Sequence, residues 1–209
     1  VNVPESSIPR ESDFVLPIWA GVEVGVASTK AFTCQLMTLL LLALSAGHQR
    51  GEIADSALDD HLSALRSVPQ LVRLALDCDG AAQEISRALA NARDILFIGR
   101  GLLYPLALEG ALKLKEISYI HAEAYASGEL KHGPIALIDK NVPVVVMAPR
   151  DALFDKTVSN MQEVMARKGK VVLVSDSAGI AEAGDGTWST LAMPTCPDLL
   201  APILYAVPA

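Results

Sequence analysis

Apolar positions fall into two rhythms along the chain. From Phe32 to Ala46 they crowd nearly every position, which predicts a helix that is apolar almost all round, begun by an N-cap at Ser28 and ended by Gly47. Leu58, Leu62, Leu65, Val72 and Leu76 then recur at helical spacing, and Gln83–Asn91 reads as another helix. Beyond these the rhythm changes. Asp94–Gly101 is a short apolar run ending in a Gly-Arg-Gly turn, and a helix is expected from about Leu103 to His121. Val142–Met147 and Val171–Val174 are further unbroken apolar runs, Trp188–Met193 a weaker one, and Ala152–Arg167 is helical between them. Apolar strands without alternation, separated by helices, predict a parallel sheet covered on both faces. Pro4, Pro9 and Pro17 mark residues 1–20 as loop, and Gly47–Gly51 is a candidate boundary.

Composition narrows the classes of function. The 209 residues are 51% hydrophobic and 20% charged, enough apolar matter for a sizeable core and too little charge for a disordered chain. Lys and Arg number 17 against 24 Asp and Glu, for a net charge of −7. With no basic excess to release counterions, nucleic acid is not expected as a partner. Cys34, Cys78 and Cys196 are odd in number and lack metal-ligand spacing, so they read as reduced thiols of a cytoplasmic protein, with no metal and no cofactor implied. The uncharged stretch Leu36–Ala46 is shorter than the ~20 residues of a membrane span and reads as a buried helix, so no membrane is expected either. The chain opens on Val1, and we read it as a piece of something longer.

Candidate chemistry clusters after the Gly99-Arg100-Gly101 turn. On the helix that follows, Glu109, Lys113 and Glu116 stand at i, i+4 and i+7, one charged stripe on an otherwise apolar cylinder. Periodicity leaves two readings: a surface ladder of ion pairs, or an acid and a cation set beside a ligand. His132 ends a short predicted turn that Ser127 would cap and Gly133-Pro134 would close. A histidine there is either a helix-end cap or a proton carrier near neutral pH. His48 and His61 lie on polar stretches and take no role, and Cys34 reads as core rather than nucleophile.

The segment from Leu108 to Pro134, LEGALKLKEISYIHAEAYASGELKHGP, resembles the isomerase domains of the glutamine–fructose-6-phosphate aminotransferase (glucosamine-6-phosphate synthase) family. Gly25-Val-Ala-Ser-Thr-Lys-Ala-Phe-Thr33, Pro9-Arg-Glu-Ser-Asp13 and Ala201–Pro208 fit the same family in the same order, so the resemblance spans the whole chain. It implies an α/β architecture of sugar-isomerase (SIS) type: a flavodoxin-like parallel sheet between helices, three layers α/β/α. Residues 1–50 would close a first SIS subdomain and residues 51–209 would form a second that lacks its C-terminal tail. The implied reaction converts fructose 6-phosphate, with ammonia from glutamine, to glucosamine 6-phosphate in amino-sugar synthesis.

In that resemblance Glu116 matches the base that moves a proton between C1 and C2, and Lys113 the lysine beside it. His132 matches a histidine that opens the sugar ring from the neighbouring protomer of a homodimer. Val26 and Ser28 match loop residues touching the sugar; Glu109 stays open between a substrate contact and a residue that orients Lys113. The glutaminase domain, the loop that holds the sugar phosphate and a C-terminal lysine are expected outside these residues, so the piece alone is expected to be inactive. Two other readings stay open: a phosphosugar-binding SIS module without catalysis, and a different SIS amino-sugar isomerase or deglycase.

Overall fold

A computed structural model describes residues 1–209, which separate into two compact units, Val1–Arg66 and Ser67–Ala209. In the first, a short helix α1 (Ser7–Arg10) is followed by an extended segment tied to the N-terminus. The Val1 ammonium donates to Leu16 O, Asn2 Nδ2 to Gly21 O, and the Ile18 N–H to Val1 O. Helix α2 runs from Lys30 to Gln49, and α3 (Asp55–Ala75) begins in this unit and ends in the second.

Ser28 does not cap α2. The cap position falls on Thr29, whose side chain makes no capping bond, and the Glu23 carboxylate instead accepts the N–H groups of Ala31 (3.0 Å) and Thr29 (3.4 Å). Those bonds, the one from Ala31 above all, hold Glu23 below the usual carboxylate pKa. Nor does Gly47 end the helix. The chain turns at the left-handed Gly51, with the Glu52 N–H donating back to Gly47 O, so α2 gains a turn at its C-terminal end. With Lys30 and the polar Gln49 included it has 20 residues, long and apolar enough by length and composition to cross a membrane. The uncharged stretch alone understated it. Only Ala31 and Leu44 of α2 are buried.

The second unit contains α4 (Asp79–Leu89), β1 (Asp94–Gly99), α5 (Leu103–Ser118), β2 (His121–Ala126), β3 (Pro143–Met147), α6 (Phe154–Ala166), β4 (Lys170–Asp176), α7 (Ser177–Ala183), β5 (Ser189–Met193) and α8 (Ala201–Tyr205). All five strands pair in parallel in the order β2-β1-β3-β4-β5, which is the flavodoxin-like doubly wound arrangement.

Alternation along each strand assigns the two faces. Leu96, Ile98, Val144, Val146, Val171 and Leu173 point one way and pack with Leu130, Ile138, Phe154, Met161 and Val164, a core with α6 and the segment after β2. Ile95, Phe97, Val145, Val172, Val174 and Leu191 point the other way toward α4 and α5, around an apolar cavity of about 330 Å3. Helix α5 lies close on this second face because residue 110 is glycine. A Cβ there would stand 3.0 Å from the Phe97 ring, tighter than packing allows without a shift.

Strand β2 is absent from the sequence reading, which carried the α5 helix through to His121. The helix stops three residues earlier. Tyr119 adopts a left-handed backbone (φ 61°), and Ser118 Oγ accepts the Ile120 N–H at 3.1 Å. His-Ala-Glu-Ala-Tyr-Ala has little local preference for extended backbone. Pairing with β1, from Asp94↔His121 to Gly99↔Ala126, makes it a strand all the same and buries Ala122 and Ala124.

Candidate functional site

Helix α5 delivers the charged stripe. Its start is tied to the end of β1 by the Gly99–Gly101 turn, where the Leu103 N–H donates to Arg100 O at 3.0 Å. Leu103, Leu106, Ala107, Gly110 and Ala111 are the residues it buries. That anchorage leaves Glu109, Lys113 and Glu116 in line along a flank of the helix. Lys113 Nζ lies 3.1 Å from Glu109 Oε1 and 3.1 Å from Glu116 Oε2. The lysine side chain is 16% exposed, that of Glu109 21% and that of Glu116 35%, so the group is partly withdrawn from water and opens toward Glu116. Burial pushes the ammonium toward the neutral form. The hydrogen bonds to Glu116 and Glu109 outweigh it, and the lysine pKa ends above its ordinary value. A cation clamped between two carboxylates holds a fixed position and stays charged.

His132 is the last residue of a 3-10 helix, Ser127–His132, that follows β2. Its Nδ1 lies 2.8 Å from Glu129 Oε2, which leaves Nε2 clear, and the side chain is 65% exposed. Ser127 does not cap this turn. Its hydroxyl is buried and without a partner, and the cap position is Ala126.

Within one chain the structure does not bring His132 to the stripe. Glu116 is in the last turn of α5, near the amino ends of the strands, because His121 just beyond pairs with the first residue of β1. His132 comes after the carboxyl end of β2, on the opposite face of the sheet, where Leu130 enters the α6 core. Val26 is almost fully exposed and Ser28 half-buried in the loop before α2.

Two clusters escaped the sequence reading. At the edge of the sheet His121 Nδ1 lies 2.8 Å from Asp94 Oδ1, and the Tyr125 hydroxyl donates to Glu123, which raises the tyrosine pKa. Both required β2 to be known as a strand beside β1. Under the carboxyl end of β4, Ser175, Asp176 and Tyr205 are buried together, and Cys196 nearby is pushed up to about 11, by burial first and then by the Asp198 and Asp176 charges.

Comparison with known proteins assigns the architecture. The SIS domain model matches residues 88–209, more than half of the chain. The chain belongs to the SIS domain family. It is 54% identical over 208 residues to the glutamine–fructose-6-phosphate aminotransferase (isomerizing) of Bartonella quintana, and 56% identical to that of Zymomonas mobilis, in both cases with the whole of this chain covered. The chain spans 34% of the length of these relatives. Among solved structures, the C-terminal domain of glucosamine-fructose-6-phosphate aminotransferase from Francisella tularensis superposes with a TM-score of 0.95 at 48% identity, covering 99% of this chain and 58% of that one. A glucosamine-6-phosphate deaminase from Thermotoga maritima, at 24% identity and a TM-score of 0.68, shares the fold.

Proposed function

We propose that this SIS chain is the isomerase portion of a glutamine–fructose-6-phosphate aminotransferase, which turns fructose 6-phosphate and glutamine-derived ammonia into glucosamine 6-phosphate. Identity above 50% over the whole chain to enzymes of that name supports the substrate, and the Glu109–Lys113–Glu116 geometry supports the chemistry. Residues 1–50 then belong to a first SIS subdomain and residues 51–209 to a second.

Shifting a sugar from ketose to aldose form requires a carboxylate to take a proton from one carbon and return it to the next. It also requires a cation where negative charge gathers on oxygen or nitrogen. Glu116 is the base in this reading and the more exposed of the two carboxylates. Lys113 is the cation, and Glu109 orients Lys113 from the buried side. Val26 and Ser28 contact the sugar.

His132, with Nε2 clear, carries the proton for ring opening. Its place across the sheet from Glu116 means that one chain does not supply both groups to one sugar, which favours a homodimer whose partner lends the histidine. The reaction as written uses the protein's own acids and bases, with neither a metal nor a cofactor, and a cytoplasmic location accompanies a phosphorylated substrate. Nucleic acid and membrane play no part in it.

The test is an assay of the complete protein for glucosamine 6-phosphate formed from fructose 6-phosphate and glutamine, beside the Lys113→Met variant. The reading expects product from the native protein and a loss of at least about 100-fold in kcat for the variant. Binding of fructose 6-phosphate with no product would instead assign a sensing module.

A further inference from the structure

The order β2-β1-β3 places a topological switch point between β1 and β3, where the chain leaves β1 toward one edge of the sheet and later returns on its other side. In open parallel sheets a crevice at the carboxyl ends of such strands is the favoured place for a ligand. The stripe of the preceding reading does not use it. Glu116 lies 13 residues beyond the first residue of α5, which is ~20 Å of helix away from that end.

A cavity of about 400 Å3 opens at the switch point, lined by Arg100 from the turn after β1, Gly128 and Lys131 from the 3-10 helix after β2, and Lys156, Ser159 and Asn160 from α6. Asp155 and Glu163 stand on its α6 side. Arg100 is half-buried and its Nη1 donates to Oδ1 of the buried Asn160 at 3.2 Å, a neutral partner that fixes the guanidinium without cancelling its charge. No ion pair in the chain takes up Arg100, Lys131 or Lys156, although Asp155 and Glu163 are close at hand.

Glycine at residue 128 leaves space beside the Arg100 guanidinium. A Cβ there would lie 3.0 Å from Arg100 Nη1 and 3.5 Å from Nη2, so a larger residue would make the guanidinium shift by a few tenths of an ångström. A half-withdrawn arginine lacking a carboxylate, in a chain with seven more acids than bases, points to a ligand that supplies the negative charge.

We propose that this crevice binds a phosphate dianion, free or as the phosphate of a small monoester, at the opposite end of α5 from the Glu116 stripe of the same chain. Arg100 takes two phosphate oxygens through its planar fork. Lys131 and Lys156 neutralise the remainder, and the Ser159 hydroxyl donates from the rim. The inference stands on the crevice alone and holds whichever reaction the stripe performs.

Calorimetric titration of the complete protein with inorganic phosphate, glycerol 3-phosphate and sulfate, at matched ionic strength, tests it. Arg100→Gln is expected to weaken phosphate binding at least about 10-fold and Lys156→Gln about 3- to 10-fold, while Lys140→Gln, an exposed lysine outside both the crevice and the stripe, leaves it unchanged. Should Arg100→Gln fail to fold by circular dichroism, the exposed Lys156→Gln carries the test. Tighter binding of glycerol 3-phosphate than of free phosphate, weakened by the same two variants, names a monoester as the occupant, and the reverse order names free phosphate. Equal affinity in the Arg100 and Lys156 variants and the native protein overturns the site, as does an equal loss of affinity in Lys140→Gln. Sulfate bound as tightly as phosphate overturns the assignment to phosphate and leaves an adventitious ion only.

Discussion

The Lys113 ammonium lies 3.1 Å from the Glu116 carboxylate on the same helix flank, and an equal distance on its other side lies Glu109. One cation therefore serves two acids of different exposure. The more buried Glu109 fixes the lysine, and Glu116 beside it is the more exposed to solvent. A surface ladder of ion pairs has no need of a lysine that is 16% exposed.

If Glu109 acts by holding Lys113, Glu109→Gln should lower kcat modestly, by about 3- to 10-fold, because the amide oxygen still accepts a hydrogen bond from the ammonium. Lys113→Met should cost at least about ten times more than that. Steady-state kinetics on the two variants checks the ranking, and a reversed order would move the essential charge to Glu109.

The separation of Glu116 and His132 on opposite faces of the sheet predicts complementation between protomers. Glu116→Gln and His132→Ala variants should each be inactive alone. Refolded together in equal amounts, half of the dimers are mixed, and each mixed dimer holds one site with both native groups. Activity should return to about a quarter of the native level. No recovery on mixing would place both groups in a single chain's site.

Residue 110 sets how closely the stripe-bearing helix approaches the sheet. Gly110→Leu must displace α5 from the Phe97 ring, at a cost of about 1–3 kcal/mol, and it carries the stripe out of place. Urea unfolding and kcat should fall together. A control at the fully buried Leu173 in β4, Leu173→Ala, should cost about 2–5 kcal/mol while kcat measured on folded protein changes little.

Cys196 supplies a pH dependence. Its thiol titrates at about 11 in the folded chain and near 9 when unfolded, because burial and then the neighbouring Asp198 and Asp176 charges disfavour the thiolate. A raised folded pKa means that the folded state keeps its proton longer. The contribution is therefore fully present below pH 9 and lost as pH rises to about 11. Urea midpoints measured from pH 8 to 11 should decline more steeply in the native chain than in Cys196→Ser. Alkylation of this thiol at pH 8 should be slow.

Most of the second unit was legible in the sequence because its strands β1, β3 and β4 are unbroken apolar runs, a pattern that reports burial on both faces. The stripe was legible because three charges at helical spacing on an apolar cylinder leave a plain trace. Strand β2 was not, since alanine at every second position carries no local signal and only pairing with β1 makes the segment extended. The caps at Ser28 and Ser127 also failed: Ser127 falls inside its 3-10 helix, one residue past the cap position at Ala126, with its hydroxyl buried and unpartnered. At Ser28 another acceptor wins, because Glu23 reaches the α2 start from five residues further back in the chain. The switch-point crevice was invisible because Arg100, Lys131 and Lys156 are far apart in sequence and meet only when β1, β2 and α6 are assembled.

The most direct measurement is the fate of the substrate's carbon-bound proton in the Glu116→Gln variant of the complete protein, followed by solvent deuterium appearing in the sugar phosphate. With Glu116 as the base, the amide should bind fructose 6-phosphate and move that proton about 10^2- to 10^4-fold more slowly than the carboxylate. Exchange and turnover at the native rate would remove Glu116 from the chemistry and leave the stripe as a structural ion pair.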